Sequence, residues 1–241
     1  MNFNYKIVLL LAIAALTIIG VVYLQKNNNQ NNIQCVMVSY LQQLEQDAWK
    51  KIGSIGLTKN ECLEKIDELP PLPTIETQKL SPYFEKISQE VLNDFGVDKN
   101  EIFFTRTTKS APAFTSGKTI HIHEEEMKTL SKQEQKFVIG HELHHIMNQD
   151  SDLHTVIQNE ADIKKGNGSI DCPLNTHCRF CEFRADIETA LKNNEYAQGY
   201  KEFIQHYLID NGRYDSGITH PKHKDRLALA EKLCASLPQI A

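Results

Sequence analysis

The sequence predicts an α+β domain, mostly helical, arranged around one small sheet and preceded by a single apolar segment. Three observations predict it. After residue 35 most apolar residues recur at helical spacing behind recognisable helix starts, only two short stretches have strand character, and residues 7–24 carry no charge. With 241 residues, 41% of them hydrophobic, the chain can bury one substantial core and has little room for two. The expected organisation is an anchor over residues 1–26, an Asn/Gln-rich tether over 27–34 and one folded domain over 35–241.

The 18 uncharged residues 7–24 lie between Lys6 and Lys26. As a helix at about 1.5 Å per residue they would span roughly 27 Å, close to the ~30 Å hydrocarbon core of a bilayer. An uncleaved membrane anchor is therefore expected. The alternative is a signal peptide whose removal would leave a secreted domain, but the only A-x-A-like triplet, Ala12 to Ala14, falls in mid-run. The tether Asn27-Asn28-Asn29-Gln30-Asn31-Asn32 follows at once.

The domain then reads as a series of helices. Residues 36–51 have helical spacing, and Thr58 with Glu61 forms a capping box for a short helix bearing Cys62, Leu63 and Ile66. Pro70 to Pro73 break the chain. Ser81 and Pro82 form an N-cap and first-turn pair for a helix with Phe84, Ile87, Val91, Leu92 and Phe95 on its inner face. Residues 102–105 and 118–123 are the strand candidates, separated by turn signals at Pro112, Ser116 and Gly117. Ser131 with Glu134 caps a helix running to about Asn148, and further helices are expected over 177–193, 197–209 and 221–237.

The chemistry sits on the Ser131-capped helix. His141-Glu142-Leu143-His144-His145 fits H-E-x-x-H, and residues four apart on a helix point to the same side, so His141 and His145 can share one metal ion. Glu142 stands beside the open coordination position, where it can take a proton from a metal-bound water. A catalytic zinc usually has a third protein ligand. Glu182, with Asp186 four residues on, offers it from a second helix, and Asp186 is placed to accept the free ring N–H of His141. A Glu-x-x-x-Asp alone describes many solvated helix faces; downstream of the His141 motif it reads as ligand and orienting residue. Glu160 is the rival, but the residue four beyond it is Lys164, which cannot accept that hydrogen bond. His144 lies off the metal-facing line and is expected to pack.

These residues resemble the HtpX-like and CAAX-prenyl-protease-like gluzincin zinc metallopeptidases. The resemblance runs from Phe114 to Leu233 and rests on Ala113-Phe114, the Gly117-Lys118-Thr119-Ile120 strand, the His141 motif, Glu182-Phe183-Arg184-Ala185-Asp186, and His220-Pro221 with Arg226 six residues after the histidine. It implies a zincin-like domain whose sheet has an edge strand lining the cleft, one Zn2+ held by His141, His145 and Glu182, Glu142 as general base, and peptide or protein substrates. His220 is expected either to donate to the oxyanion formed when water attacks the carbonyl or to cap a helix begun by Pro221. A non-catalytic alternative is a membrane-tethered binding or assembly factor that keeps this fold and its metal.

Once Lys6 and Lys26 are removed with the anchor, 24 basic side chains face 31 acidic ones, which argues against nucleic acid as a partner. Six cysteines, at 35, 62, 172, 178, 181 and 234, all follow the apolar segment. An even count there leads us to expect disulfides, pinning the loop ahead of Glu182, and a domain on the extracytoplasmic side, with buried free thiols as the alternative.

Overall fold

The capped helices of the sequence are also those of the fold. The computed structural model describes residues 35–70, 78–109, 111–164, 173–213 and 219–237. Helix α1 covers residues 35–53, followed by α2 (Lys59–Ile66) and α3 (Pro82–Phe95). Next come β1 (Phe103–Arg106), β2 (Ala113–Ser116), β3 (Thr119–Ile122) and the single turn α4 (Glu124–Met127). Helices α5 (Lys132–Met147), α6 (Asp150–Lys164), α7 (Pro173–Ala190), α8 (Asn194–Glu202) and α9 (His223–Ser236) complete the described fold, with a π-helical stretch Phe203–Asp210 continuing α8. The anchor at 7–24 and the tether at 27–34 lie outside the described residues. Among the described residues, no helix is long and apolar enough to cross a membrane.

Local chemistry sets the starts and stops. Thr58/Glu61 and Ser131/Glu134 both form reciprocal capping boxes, each satisfying two orphan N–H groups of its helix. Helix α3 ends at Gly96, whose φ of 70° is the left-handed conformation a side chain disfavours. Its Phe84, Ile87, Val91 and Leu92 are buried in the main core with Ile120, Ile122, Phe137, Ile139 and Leu143, so this core lies between the sheet and α3, α5, α8 and α9. A second cluster joins Ile52, Leu57 and Cys62 to Leu153, Val156 and Ile157 of α6.

The sheet has order β1-β3-β2, with β1 parallel and β2 antiparallel to β3. Strand β2 was not expected. Only four residues long, it is bracketed by the turn signals that made the whole stretch read as a connection. It puts the Gly117–Ile120 region in the centre of the sheet and leaves β2 as the edge, against α5. Helix α6 was also unexpected. Over residues 150–160 its buried apolar side chains are the short Leu153, Val156, Ile157 stripe that packs onto α1 and α2.

The cysteines depart further from expectation. Cys35, Cys62, Cys181 and Cys234 are free thiols, and Cys172 lies outside the described residues. Cys62, Cys181 and Cys234 belong to three different apolar clusters and behave as small core residues, Cys234 donating to the Ala197 carbonyl at 3.1 Å.

Helices α5 and α8 pack closely because Gly199 has no side chain: a Cβ there would lie 2.3 Å from the Gln133 carbonyl oxygen. Gly199→Ala is expected to destabilise the domain by about 1–3 kcal/mol, by overpacking against backbone that cannot give way. Gly53, in α1, has open space around its Cβ position, so Gly53→Ala should be neutral or slightly stabilising. Urea melts of the two variants check the pair. Equal stability of both would show that α5 and α8 do not meet this closely.

Candidate active site

The site is built where α5 and α7 cross. Phe137, Ile139 and Leu143 turn one side of α5 into the core, which directs His141 and His145 toward α7. Helix α7 is held by Ile187 in the same core and returns Glu182 to meet them. His141 Nε2 lies 3.4 Å from Glu182 Oε2, His145 Nε2 lies 3.6 Å from Glu182 Oε1, and the two Nε2 atoms are 2.9 Å apart. All three donor atoms fall within 4.8 Å of one another. Two imidazole nitrogens at such a distance cannot face each other with bare lone pairs, so a proton or a cation has to lie between them. Two nitrogens with one carboxylate oxygen form a set that zinc accepts while keeping a position for water. The residues therefore fit the metal that the sequence implies.

A second layer holds the donors. Asp186, fully buried, lies 3.0 Å from His141 Nδ1, although without the alignment of a good hydrogen bond. Its carboxylate also accepts from Arg226 at 2.8 and 2.7 Å and from the Tyr200 hydroxyl at 2.9 Å, so α7, α8 and α9 are joined behind the site. Asp150, at the start of α6, pairs with His145 Nδ1 at 2.8 Å and is itself held by Arg184. Each imidazole thus has its own carboxylate, which fixes the ring and raises its basicity.

These carboxylates dominate the electrostatics. Burial lowers the His141 pKa, but Asp186 and Glu182 outweigh it and hold the ring up at about 10 in the metal-free protein. The pKa of His145 is likewise raised, Asp150 overcoming burial. Burial pushes the Glu142 carboxyl above its usual range, while it opposes, without reversing, the downward pull of the two histidines on Glu182. Zinc needs neutral imidazole, whereas metal-free His141 stays protonated until about pH 10. Zinc uptake at pH 7 is therefore expected to release at least one proton and to tighten as pH rises toward that value. Calorimetric titrations in buffers of different ionisation enthalpy measure this; an enthalpy independent of buffer would contradict it.

A cleft passes over the donors in two lobes. The smaller, about 260 Å³, is walled by Phe137, Val138, Phe203, Tyr207 and Leu208; the larger, about 440 Å³, by Phe114, Thr115, His154 and Cys178. Ala113, Glu142, Glu182 and His220 border both. The β2 register, with His123 N–H donating to the Pro112 carbonyl, turns the backbone groups of Phe114 toward β3 and those of Ala113 and Thr115 toward the cleft. The π-helical stretch stacks Phe203 on Tyr207 at 5.1 Å and sets both along the smaller lobe.

His220 sits at the mouth, 58% exposed, with Nε2 at 3.4 Å from Glu182 Oε1. It does not begin a helix: α9 starts at His223 with Lys222 as its N-cap. Glu160, the rival third ligand, is engaged with Lys65 of α2. His144 pairs with Glu188 at 3.0 Å and packs on Phe95, as its off-line position suggested. Two site residues escaped the sequence reading. They are Asp150 and Tyr200, neither of which any motif in the sequence singles out. The turn at Gln149, with φ at 56°, is what swings Asp150 back to His145.

Comparison with known protein families matches residues 78–164 to peptidase family M48. The match contains the sheet, α5 and α6 and ends before Glu182, so the third donor rests on the geometry alone. No curated protein and no solved structure matches the chain. The part of the chain that carries the sheet and the helix bearing His141 and His145 is thus similar to peptidase family M48, a family of zinc-dependent metallopeptidases.

Proposed function

We propose that this protein is a membrane-anchored zinc metalloendopeptidase in which Glu142 is the general base for attack of water on a peptide carbonyl. The observation that carries the reading is the convergence of His141, His145 and Glu182 at the floor of a cleft that Glu142 also borders. Zinc bound there supplies a Lewis acid and lowers the pKa of water to about 7. Glu142, its pKa already raised by burial, takes the proton of the attacking water and passes it to the leaving amine. His220 faces the same space and donates to the carbonyl oxygen as negative charge develops on it.

Substrate binding follows from the sheet edge. An extended peptide adds to β2 through the outward backbone groups of Ala113 and Thr115, which gives affinity without sequence selection, while the two lobes receive side chains on either side of the scissile bond. A cleft open to both sides of Glu142 suits cleavage within a chain rather than at its end. The test is hydrolysis of casein by the full-length protein with bound zinc counted in parallel. Activity should vanish with a chelator and return with Zn2+. Chelator-insensitive turnover, or stoichiometric zinc without turnover, would refute it, the latter in favour of a binding factor.

The membrane part of the proposal rests on residues 7–24. Full-length protein should stay with membranes through an alkaline wash, while a chain beginning at residue 27 should be released. With four cysteines as free thiols, the cysteine count no longer bears on which side of the membrane the domain faces.

A further inference from the structure

Seven large hydrophobic side chains are exposed among the described residues, and three of them fall within five consecutive positions of α1: Val36, Val38 and Tyr40, at 53%, 47% and 40%. The other four, Leu63, Tyr83, Phe103 and Met147, stand one to an element on α2, α3, β1 and α5, as single apolar residues on a protein surface ordinarily do. On α1 the neighbours Met37 and Leu41 turn inward to the main core. Val36 and Tyr40, four residues apart, therefore share one flank of the helix, and Val38 lies on the other.

Charge is missing from the same surface. Between Lys26 and Glu45 the sequence has no Asp, Glu, Lys or Arg, so residues 35–44 of α1 carry none. The place of this surface in the chain indicates what covers it, given the reading of residues 7–24 as an anchor, on which the inference rests. The eight residues 27–34 lie between the anchor and α1. In any conformation they reach no further than about 29 Å, so the apolar part of α1 stays close to the bilayer. Tyrosine suits that boundary, with an apolar ring and a polar hydroxyl.

We propose that α1 docks on the lipid surface beside the anchor through Val36, Val38 and Tyr40, which enter the interface of a zwitterionic bilayer without help from charged lipid. Docking orients the cleft. Leu44 and Ala48 of α1 pack on Phe180 and Cys181 of α7, and the Tyr40 ring meets that of Phe183, the residue after Glu182, edge-on at 6.1 Å. A helix held at the membrane thus holds the helix that carries the third donor, and the cleft keeps one bearing to the bilayer.

Cys35, exposed beside Val36, provides a native attachment point for a probe. Full-length protein with Cys172→Ser and Cys178→Ser is labelled there with the fluorophore NBD and reconstituted in phosphatidylcholine vesicles carrying a nitroxide-lipid quencher, and the same sample is floated on a density gradient. The label should emit to the blue of its aqueous position and be quenched by the nitroxide, equally at low and high salt. Val36→Ser/Val38→Ser/Tyr40→Ser should lose both the shift and the quenching while still floating with the vesicles. An aqueous spectrum from floated protein without the three serines overturns the docking and leaves the anchor standing. Equal quenching with and without the serines also overturns it, because the anchor alone would then account for the proximity, and so does quenching abolished by salt, which would assign the contact to charged groups. Protein that does not float removes the anchor and the docking together.

Discussion

Glu142→Gln is expected to keep the fold and the zinc but to lose about 10²–10⁴-fold in kcat, the usual contribution of a positioned proton acceptor. The substitution removes only the basic oxygen and leaves His141, His145 and Glu182, with their carboxylate partners, as they are. KM should change little, because peptide is held by the β2 edge and the lobes. The acid limb of the wild-type kcat/KM profile that reports protonation of Glu142 should be absent from any residual activity of the variant. Near-normal turnover by a zinc-loaded Glu142→Gln protein would remove Glu142 from the mechanism.

Where the sequence was legible, it was so because local signals agreed with tertiary demands. The Ser131/Glu134 capping box marks the start of α5, the helical spacing of His141 and His145 puts both on one side, and the core residues Phe137, Ile139 and Leu143 decide which side faces α7. The same holds for α3, whose apolar stripe and Gly96 stop are both visible in the sequence.

Legibility failed where the deciding contact is remote. Strand β2 is a strand because β3 pairs with it, and nothing in Ala113–Ser116 outweighs the flanking Pro112 and Gly117. Helix α6 depends on a three-residue stripe docking onto α1 and α2. Asp150 becomes the partner of His145 only through the left-handed turn at Gln149, a conformation that costs a residue with a side chain about 1–2 kcal/mol. Disulfides were expected from an even count of cysteines, yet count says nothing about distance. Cys62, Cys181 and Cys234 end in separate clusters.

The choice between two glutamates is where sequence and structure bear on the same question by different arguments. In the sequence, Glu182 is preferred for the Asp186 that follows one turn later, and Glu160 is set aside for its Lys164. In the structure, Glu182 lies within 3.4–3.6 Å of both histidines, while Glu160 is paired with Lys65 on the far side of α6, at an interface that packs α6 onto α2. Asp186 also does more than orient His141. Held by Arg226 and Tyr200, it locks α7 in rotation, so the Glu182 carboxylate is already aimed at the histidines before metal arrives. Glu182→Ala should therefore weaken zinc binding by more than the ~10–100-fold that follows loss of a merely orienting group, and should abolish peptide hydrolysis. Glu160→Ala should leave zinc content and turnover unchanged and alter stability only slightly, because its pair with Lys65 is partly exposed. Metal analysis of both purified variants after dialysis against a weak chelator decides the matter. Zinc retained by Glu182→Ala and lost from Glu160→Ala would take the third ligand off α7 and leave Asp186, Arg226 and Tyr200 as a purely structural network.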